Sequence, residues 1–190
     1  VKYNNNIQLY SADFSSLFTN LPHTEVIKHI TEIVETCFKN SNKKYIAIGY
    51  KNCYYTDVFT KDNIYSANEI IKMLKTLLNN SYAQYAQQTF KQINGIPQGD
   101  NCSPLLADLT LTNMEVNYIK QHQTSFQKPR ITAARYMDDI LIIYNNNINI
   151  QNILQDMYHT SLDLQQTNTN NKTTDFLDIT ITLTNDSYQT

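Results

Sequence analysis

Apolar positions along the chain recur in two rhythms. From Glu25 to Phe38, the residues Val26, Ile27, Ile30, Ile33, Val34 and Phe38 return at the spacing of one helix face, which predicts an amphipathic helix. Before it, IQLYSADF (residues 7–14) reads as a strand ending at Asp13, followed by the turn-forming SSLFTN and a helix start at Pro22. YIAIGYKNCYYTDVF (45–59) gathers β-branched and aromatic residues about Gly49, Lys51 and Asn52, and predicts a hairpin. Ser66 and Glu69 form a capping-box pair ahead of IIKMLKTLL, so a second helix starts near Ala67 and fades at Asn79 and Asn80. A short strand or hairpin then runs from Tyr82 to Ile93. The glycine-punctuated INGIPQG leads to Ser103 and Pro104, a cap and first-turn pair for a long helix. ARYMDDILIIY (134–144) reads as two apolar strands flanking Asp138 and Asp139, and a helix near 150–160 and a strand FLDITITL (176–183) complete the series.

No internal repeat or linker interrupts the pattern, and 190 residues suffice for one core but are short for two, so one domain is expected. The predicted class is α+β: a small antiparallel sheet carrying Asp13 and the aspartate hairpin, with helices near 24–38 and 104–121 on its back. Formal charge is -2 and the pI about 6.1, so the global basic field common in nucleic-acid binders is missing. Cys37, Cys53 and Cys102 lie far apart without a CxxC pair, which argues against a disulfide framework and a zinc knuckle. No stretch has the roughly 18–20 apolar residues of a bilayer span, and the first residues lack a signal-peptide core. The expectation is a soluble, intracellular chain with no membrane partner. The four histidines, His23, His29, His122 and His159, show no ligand spacing and read as solvated or helix-surface residues.

Two adjacent aspartates inside an apolar run raise the chemical question. A hairpin turn accepts Asp readily, so Asp138 and Asp139 serve a solvated turn as well as they serve a metal site. Taken singly, Asp13 serves equally as a turn cap, Phe18 as core and Gln98 as an ordinary loop amide. Strand ends and tight turns, however, can bring distant carboxylates to one point, and Mg2+ needs only a few hard oxygen ligands beside water and phosphate.

Together, YSADFSSLFTNLP (10–22), NGIPQGDNCSPLLADL (94–109), RYMDD (135–139) and the late FLDI (176–179) resemble, in order, motifs of reverse transcriptases. The likeness runs from about Leu9 to Thr182 and lies nearest the Penelope-like retroelements. It implies that residues 1–190 form a polymerase palm, an α+β fold with a ferredoxin-like antiparallel sheet backed by helices, with fingers and thumb largely outside this stretch. It also implies an RNA-directed DNA polymerase that adds dNTPs to a DNA primer on an RNA template, using two Mg2+ ions or Mn2+ in their stead. Asp13 and Asp138 would ligate both ions, Asp139 would assist or hold the turn, and the Phe14 carbonyl would be a further ligand. Phe18 would exclude a ribose 2′-hydroxyl, and Gln98 and Gly99 would meet the incoming nucleotide. Gly95, Pro97 and Tyr136 would contact primer or template. With Arg130 and Arg135 the two arginines and no triphosphate clamp, weak or no polymerisation by these 190 residues alone is expected. Fingers and thumb would come from a larger protein or partner chains. The alternative is a domesticated, catalytically silent domain with a structural or nucleic-acid-binding role.

Overall fold

A computed structural model describes residues 7–59, 63–122, 131–184 and 188–189. In chain order the elements begin with β1 (Ile7–Ser15), α1 (Leu17–Asn20), α2 (His23–Ser41), β2 (Tyr45–Ile48), β3 (Cys53–Thr56) and β4 (Ile64–Tyr65). They continue with α3 (Ala67–Asn79), β5 (Tyr82–Tyr85), β6 (Gln88–Lys91), α4 (Ser103–Gln121), β7 (Thr132–Tyr136) and β8 (Asp139–Asn145). The last are α5 (Ile150–Met157), β9 (Asp163–Gln166), β10 (Thr173–Phe176), β11 (Ile179–Leu183) and β12 (Tyr188–Gln189). Contacts cluster into two compact units, Val1–Asn20 with Met114–Thr190, and Leu21–Asn113. No helix among the described residues is long and apolar enough to cross a membrane.

The first unit is built on an antiparallel sheet in the order β7-β8-β1-β9. Its two central strands carry the continuous apolar runs: Leu9, Tyr10, Ala12 and Phe14 on β1, and Ile140, Leu141, Ile142 and Tyr144 on β8, are all buried. Alternating side chains need such runs only where both faces of a sheet are covered. Leu9 is 0% exposed, a burial that contributes ~1.5–3 kcal/mol. The edge strands β7 and β9 are mostly exposed, so the apolar expectation for the strand before the aspartates does not make it a core strand. Beyond β9 the backbone still meets β1 through the Thr167 N–H to the Ser11 carbonyl and the Leu9 N–H to the Asn171 carbonyl, both at 2.9 Å, and between them the Asn168 side chain continues the pairing. Its Oδ1 accepts the Ser11 N–H and its Nδ2 donates to the Leu9 carbonyl, both at 3.0 Å. The Ser11 hydroxyl in turn bonds Thr167 at 2.7 Å and Thr174 at 2.5 Å, which ties β10 to the face of β1 opposite Phe14.

The second unit packs α2 against α3, with a three-stranded sheet β3-β2-β4 and the separate β5–β6 hairpin. The capping box at α3 forms as the sequence predicts: the Ser66 N–H donates to Glu69 Oε2 at 2.7 Å, and the Glu69 N–H donates to Ser66 Oγ at 3.4 Å.

Several boundaries differ from expectation. β1 continues two residues past Asp13, because Phe14 and Ser15 still pair with Leu164 and Asp163 of β9, a strand that periodicity did not reveal. Pro22 is the N-cap of α2 and not its first turn, with an extended ψ of 140°. Ser103 is the first residue of α4, and its hydroxyl donates back to the Pro97 carbonyl at 2.5 Å instead of capping forward. FLDITITL is not one strand: Leu177 adopts φ +55° and, with Asp178, turns the chain between β10 and β11. His29 is not a surface residue but 5% exposed. Both ring nitrogens are engaged, Nδ1 with Asn113 Nδ2 at 2.9 Å and Nε2 with Glu25 at 3.3 Å, and burial lowers its pKa, so the ring sits neutral in its slot.

Candidate active site

Register in the first unit aligns four side chains across one face of the sheet. Tyr136 of β7 pairs with Asp139 of β8, Asp139 with Asp13 of β1, and Asp13 with Gln165 of β9. Directly opposed residues of antiparallel strands point to the same face, so these form one row. The Phe14 N–H donates to the Asp138 carbonyl at 3.1 Å. That bond makes Asp13 and Asp139 a non-hydrogen-bonded pair, the narrow kind with Cα atoms about 4.5 Å apart. Asp138 occupies the two-residue turn between Tyr136 and Asp139, beside the row. Asp13, Asp138 and Asp139 are all partly exposed, and Tyr136 is 61% exposed.

The acids repel one another. Burial, then Asp138, then Asp139 raise the Asp13 pKa above its ordinary value, with only the Phe14 N–H acting the other way. Folding therefore gathers negative charge at this point. Among the described residues no three His, Cys, Asp or Glu side chains already form a cage for a metal ion. The donor chemistry fits Mg2+ nevertheless, since that ion keeps several waters or phosphate oxygens and takes few protein ligands.

The hairpin turn holds a further feature. Met137 has φ +55°, a left-handed conformation that costs a non-glycine residue about 1–2 kcal/mol. Its carbonyl accepts from Arg135 Nη1 at 3.1 Å. Arg135 also pairs with Glu115 of α4, which receives the Tyr158 hydroxyl at 2.7 Å. This network escaped the sequence reading because its members lie 20 and 43 residues apart, with no spacing signal. Gln165 was missed for the same reason as its strand. Arg130 lies outside the described residues.

Phe14 and Phe18 also belong to the first unit. Phe14 is buried, while Phe18 sits half-buried on α1, five residues after Asp13. The GIPQG loop belongs to the second unit. Gly95 and Gly99 take φ +78° and +97°, conformations open to glycine. A Cβ on Gly99 would meet nothing within 4 Å, so backbone conformation and not crowding selects glycine, and the loop lies open to an approaching ligand. The Gly95 carbonyl bonds His23 Nε2 at 2.6 Å and Ile96 is fully buried, which anchors the loop. Gln98 and Gly99 stay exposed beyond this anchor. Pro97 and Gln98 line a groove of about 870 Å³ together with Lys72, Met73, Leu77 and Tyr82.

The chain belongs to the reverse transcriptase (RNA-dependent DNA polymerase) family, whose family model matches residues 2–187. The telomerase reverse transcriptase of Oxytricha trifallax is 26% identical over 99 residues, which cover 50% of this chain and 9% of that protein. Telomerase from Candida albicans, solved in complex with a TWJ fragment of telomeric RNA, has a TM-score of 0.68 at 16% identity, covering 97% of this chain and 31% of that one. Apo telomerase from Candida tropicalis has a TM-score of 0.68 at 15% identity, covering 99% and 33%. At such identities the likeness is one of fold: a mixed α/β, reverse-transcriptase-like arrangement of helices and antiparallel sheets. The chain spans about a third of the length of these solved relatives.

Proposed function

We propose that the chain is the catalytic palm of an RNA-directed DNA polymerase that extends a DNA primer with dNTPs on an RNA template. The observation that carries this reading is the gathering of Asp13, Asp139 and the turn residue Asp138, where burial and the two neighbouring acids raise the pKa of Asp13. A silent domain has no physical need for that repulsion. The strand order β7-β8-β1-β9 lends support: with the elements of the second unit left aside, it would suit a ferredoxin-like sheet. Within the family, the FSSLFTNLP and FLDITI stretches favour the Penelope-like group.

Asp13 and Asp138 would hold the metal pair, with the Phe14 carbonyl as a further ligand and Asp139 supporting the turn. Two bound Mg2+ ions supply activation of the primer 3′-hydroxyl and charge stabilisation on the departing pyrophosphate. The protein's part would be to hold Asp13 on β1 and Asp138 in the hairpin turn near each other, so that less reorganisation remains when substrate arrives. Phe18 would close the space a ribose 2′-hydroxyl needs. By the family resemblance, Gln98 and Gly99, exposed on the second unit's loop, are the candidates for nucleotide contact and Pro97, with the buried Gly95 behind it, for template, while Tyr136 of the first unit is the candidate for primer contact.

The catalytically silent alternative draws on one observation, that no three-ligand cage is preassembled among the described residues. Primer extension on an RNA template with Mg2+, using the full-length protein, separates the two. The polymerase reading expects DNA products with dNTPs and none with rNTPs. No product from well-folded protein favours the silent domain.

A further inference from the structure

Arg135 is an enclosed charged side chain of the first unit, with 8% of its side chain exposed and its head paired with Glu115. Its planar head is used from three sides. Nε donates to Glu115 Oε1 at 2.5 Å, Nη2 to Glu115 Oε2 at 3.4 Å, and Nη1 to the Met137 carbonyl at 3.1 Å. Glu115 is fixed in turn by the Tyr158 hydroxyl at 2.7 Å. The Tyr158 ring stands edge-on to Phe14, centroids 4.9 Å apart at 88°, and Phe14 follows Asp13. One buried network thus reaches both acid-bearing segments.

Its consequence for Asp138 follows from the backbone. The peptide before Asp138 is held through the Met137 carbonyl by Arg135, and the peptide after it through the Asp138 carbonyl by the Phe14 N–H at 3.1 Å. Fixing both planes fixes φ and ψ at Asp138, and so the direction in which its carboxylate leaves the chain. Met137, at φ +55°, holds a conformation that two-residue hairpin turns favour but a residue with a Cβ adopts at a cost, so the bond to its carbonyl helps keep the turn in place.

We propose that Arg135 is a positioning residue for Asp138, acting through the Met137 carbonyl and itself oriented by Glu115 and Tyr158. The inference rests on the polymerase reading above. A lysine cannot replace it, because a single ammonium lacks the flat fork that serves Glu115 and Met137 together.

The test is Mn2+ binding to the full-length protein, followed by the paramagnetic signal of free Mn2+, for wild type, Arg135→Lys, Tyr158→Phe and Asp138→Asn, beside primer extension. Residues that orient metal ligands typically affect metal affinity by about 10–100-fold. Arg135→Lys is expected to raise the half-saturating Mn2+ concentration by about tenfold or more and to lower kcat, with KM for dNTP within about twofold. Tyr158→Phe, which keeps its ring against Phe14, moves both in the same direction by less. A purely structural ion pair would leave Mn2+ affinity unmoved. If Asp138→Asn loses Mn2+ while both Arg135→Lys and Tyr158→Phe bind it as wild type does, the positioning role is overturned and the polymerase reading stands. If wild type binds no Mn2+ and Asp138→Asn changes nothing, the polymerase reading falls and this inference with it. Should Arg135→Lys fail to fold, Tyr158→Phe decides by the same criterion.

Discussion

An Asp138→Asn variant is expected to lose templated DNA synthesis by roughly three orders of magnitude or more, while its metal-free form melts at a higher temperature than wild type. The first part follows from the metals: the charge stabilisation they give a phosphoryl transfer amounts to several kcal/mol, and each ~1.4 kcal/mol is a factor of ten. The second follows from the repulsion that acts on Asp13. Burial comes first and Asp138 second among the causes that raise the Asp13 pKa, so neutralising Asp138 removes the largest charge acting there. A carboxyl whose folded-state pKa is raised contributes stability that is fully present below its unfolded pKa and is lost as pH rises through the folded value. Through this group, chelator-treated wild type therefore becomes less stable as pH climbs out of the ordinary carboxylate range, and Asp138→Asn flattens that slope. Thermal melts in chelator across this range, beside extension assays in Mg2+, check both halves. A variant that loses synthesis and also loses stability in chelator would indicate a misfolded turn and not a metal ligand.

Phe18→Ala is expected to improve use of rNTPs relative to dNTPs by about 10–100-fold. Phe18 sits on the single turn of α1 just after the acid-bearing strand, and it is half-buried while its neighbour Leu17 is 3% exposed. Leu17 therefore anchors the turn, and truncating Phe18 opens space without removing that anchor. A filled pocket that meets one extra hydroxyl or methylene discriminates by about 1–3 kcal/mol, which sets the size of the effect. Single-turnover incorporation of matched dNTP and rNTP pairs measures it. An unchanged ratio in a folded variant would assign Phe18 to packing alone.

The parts legible in sequence are those written in local pattern. The Ser66–Glu69 box, the helical stripe from Val26, the hairpin about Gly49 and the apolar run of β8 each depend on residues within one or two turns of each other. Asp138 and Asp139 stood out because charge inside such a run needs a reason. Turns were harder where glycine is absent: Met137 and Leu177 both take φ +55°, and neither residue type announces it. β9 was hidden because DLQQ, at the sheet's edge, shows little apolar alternation. The row Tyr136–Asp139–Asp13–Gln165 depends on register between strands more than a hundred residues apart, and the Arg135–Glu115–Tyr158 network on side chains that meet only after folding. His29 read as a surface residue because its partner Asn113 lies 84 positions away.

The most direct test of the shared metal centre is anomalous diffraction from crystals of the full-length protein holding template, primer, dNTP and Mn2+. The account predicts two Mn2+ peaks about 3.5–4 Å apart, both within ligand distance of the Asp13 and Asp138 carboxylates. An ordered substrate complex with no such pair, or with these two carboxylates more than about 8 Å apart, would contradict it.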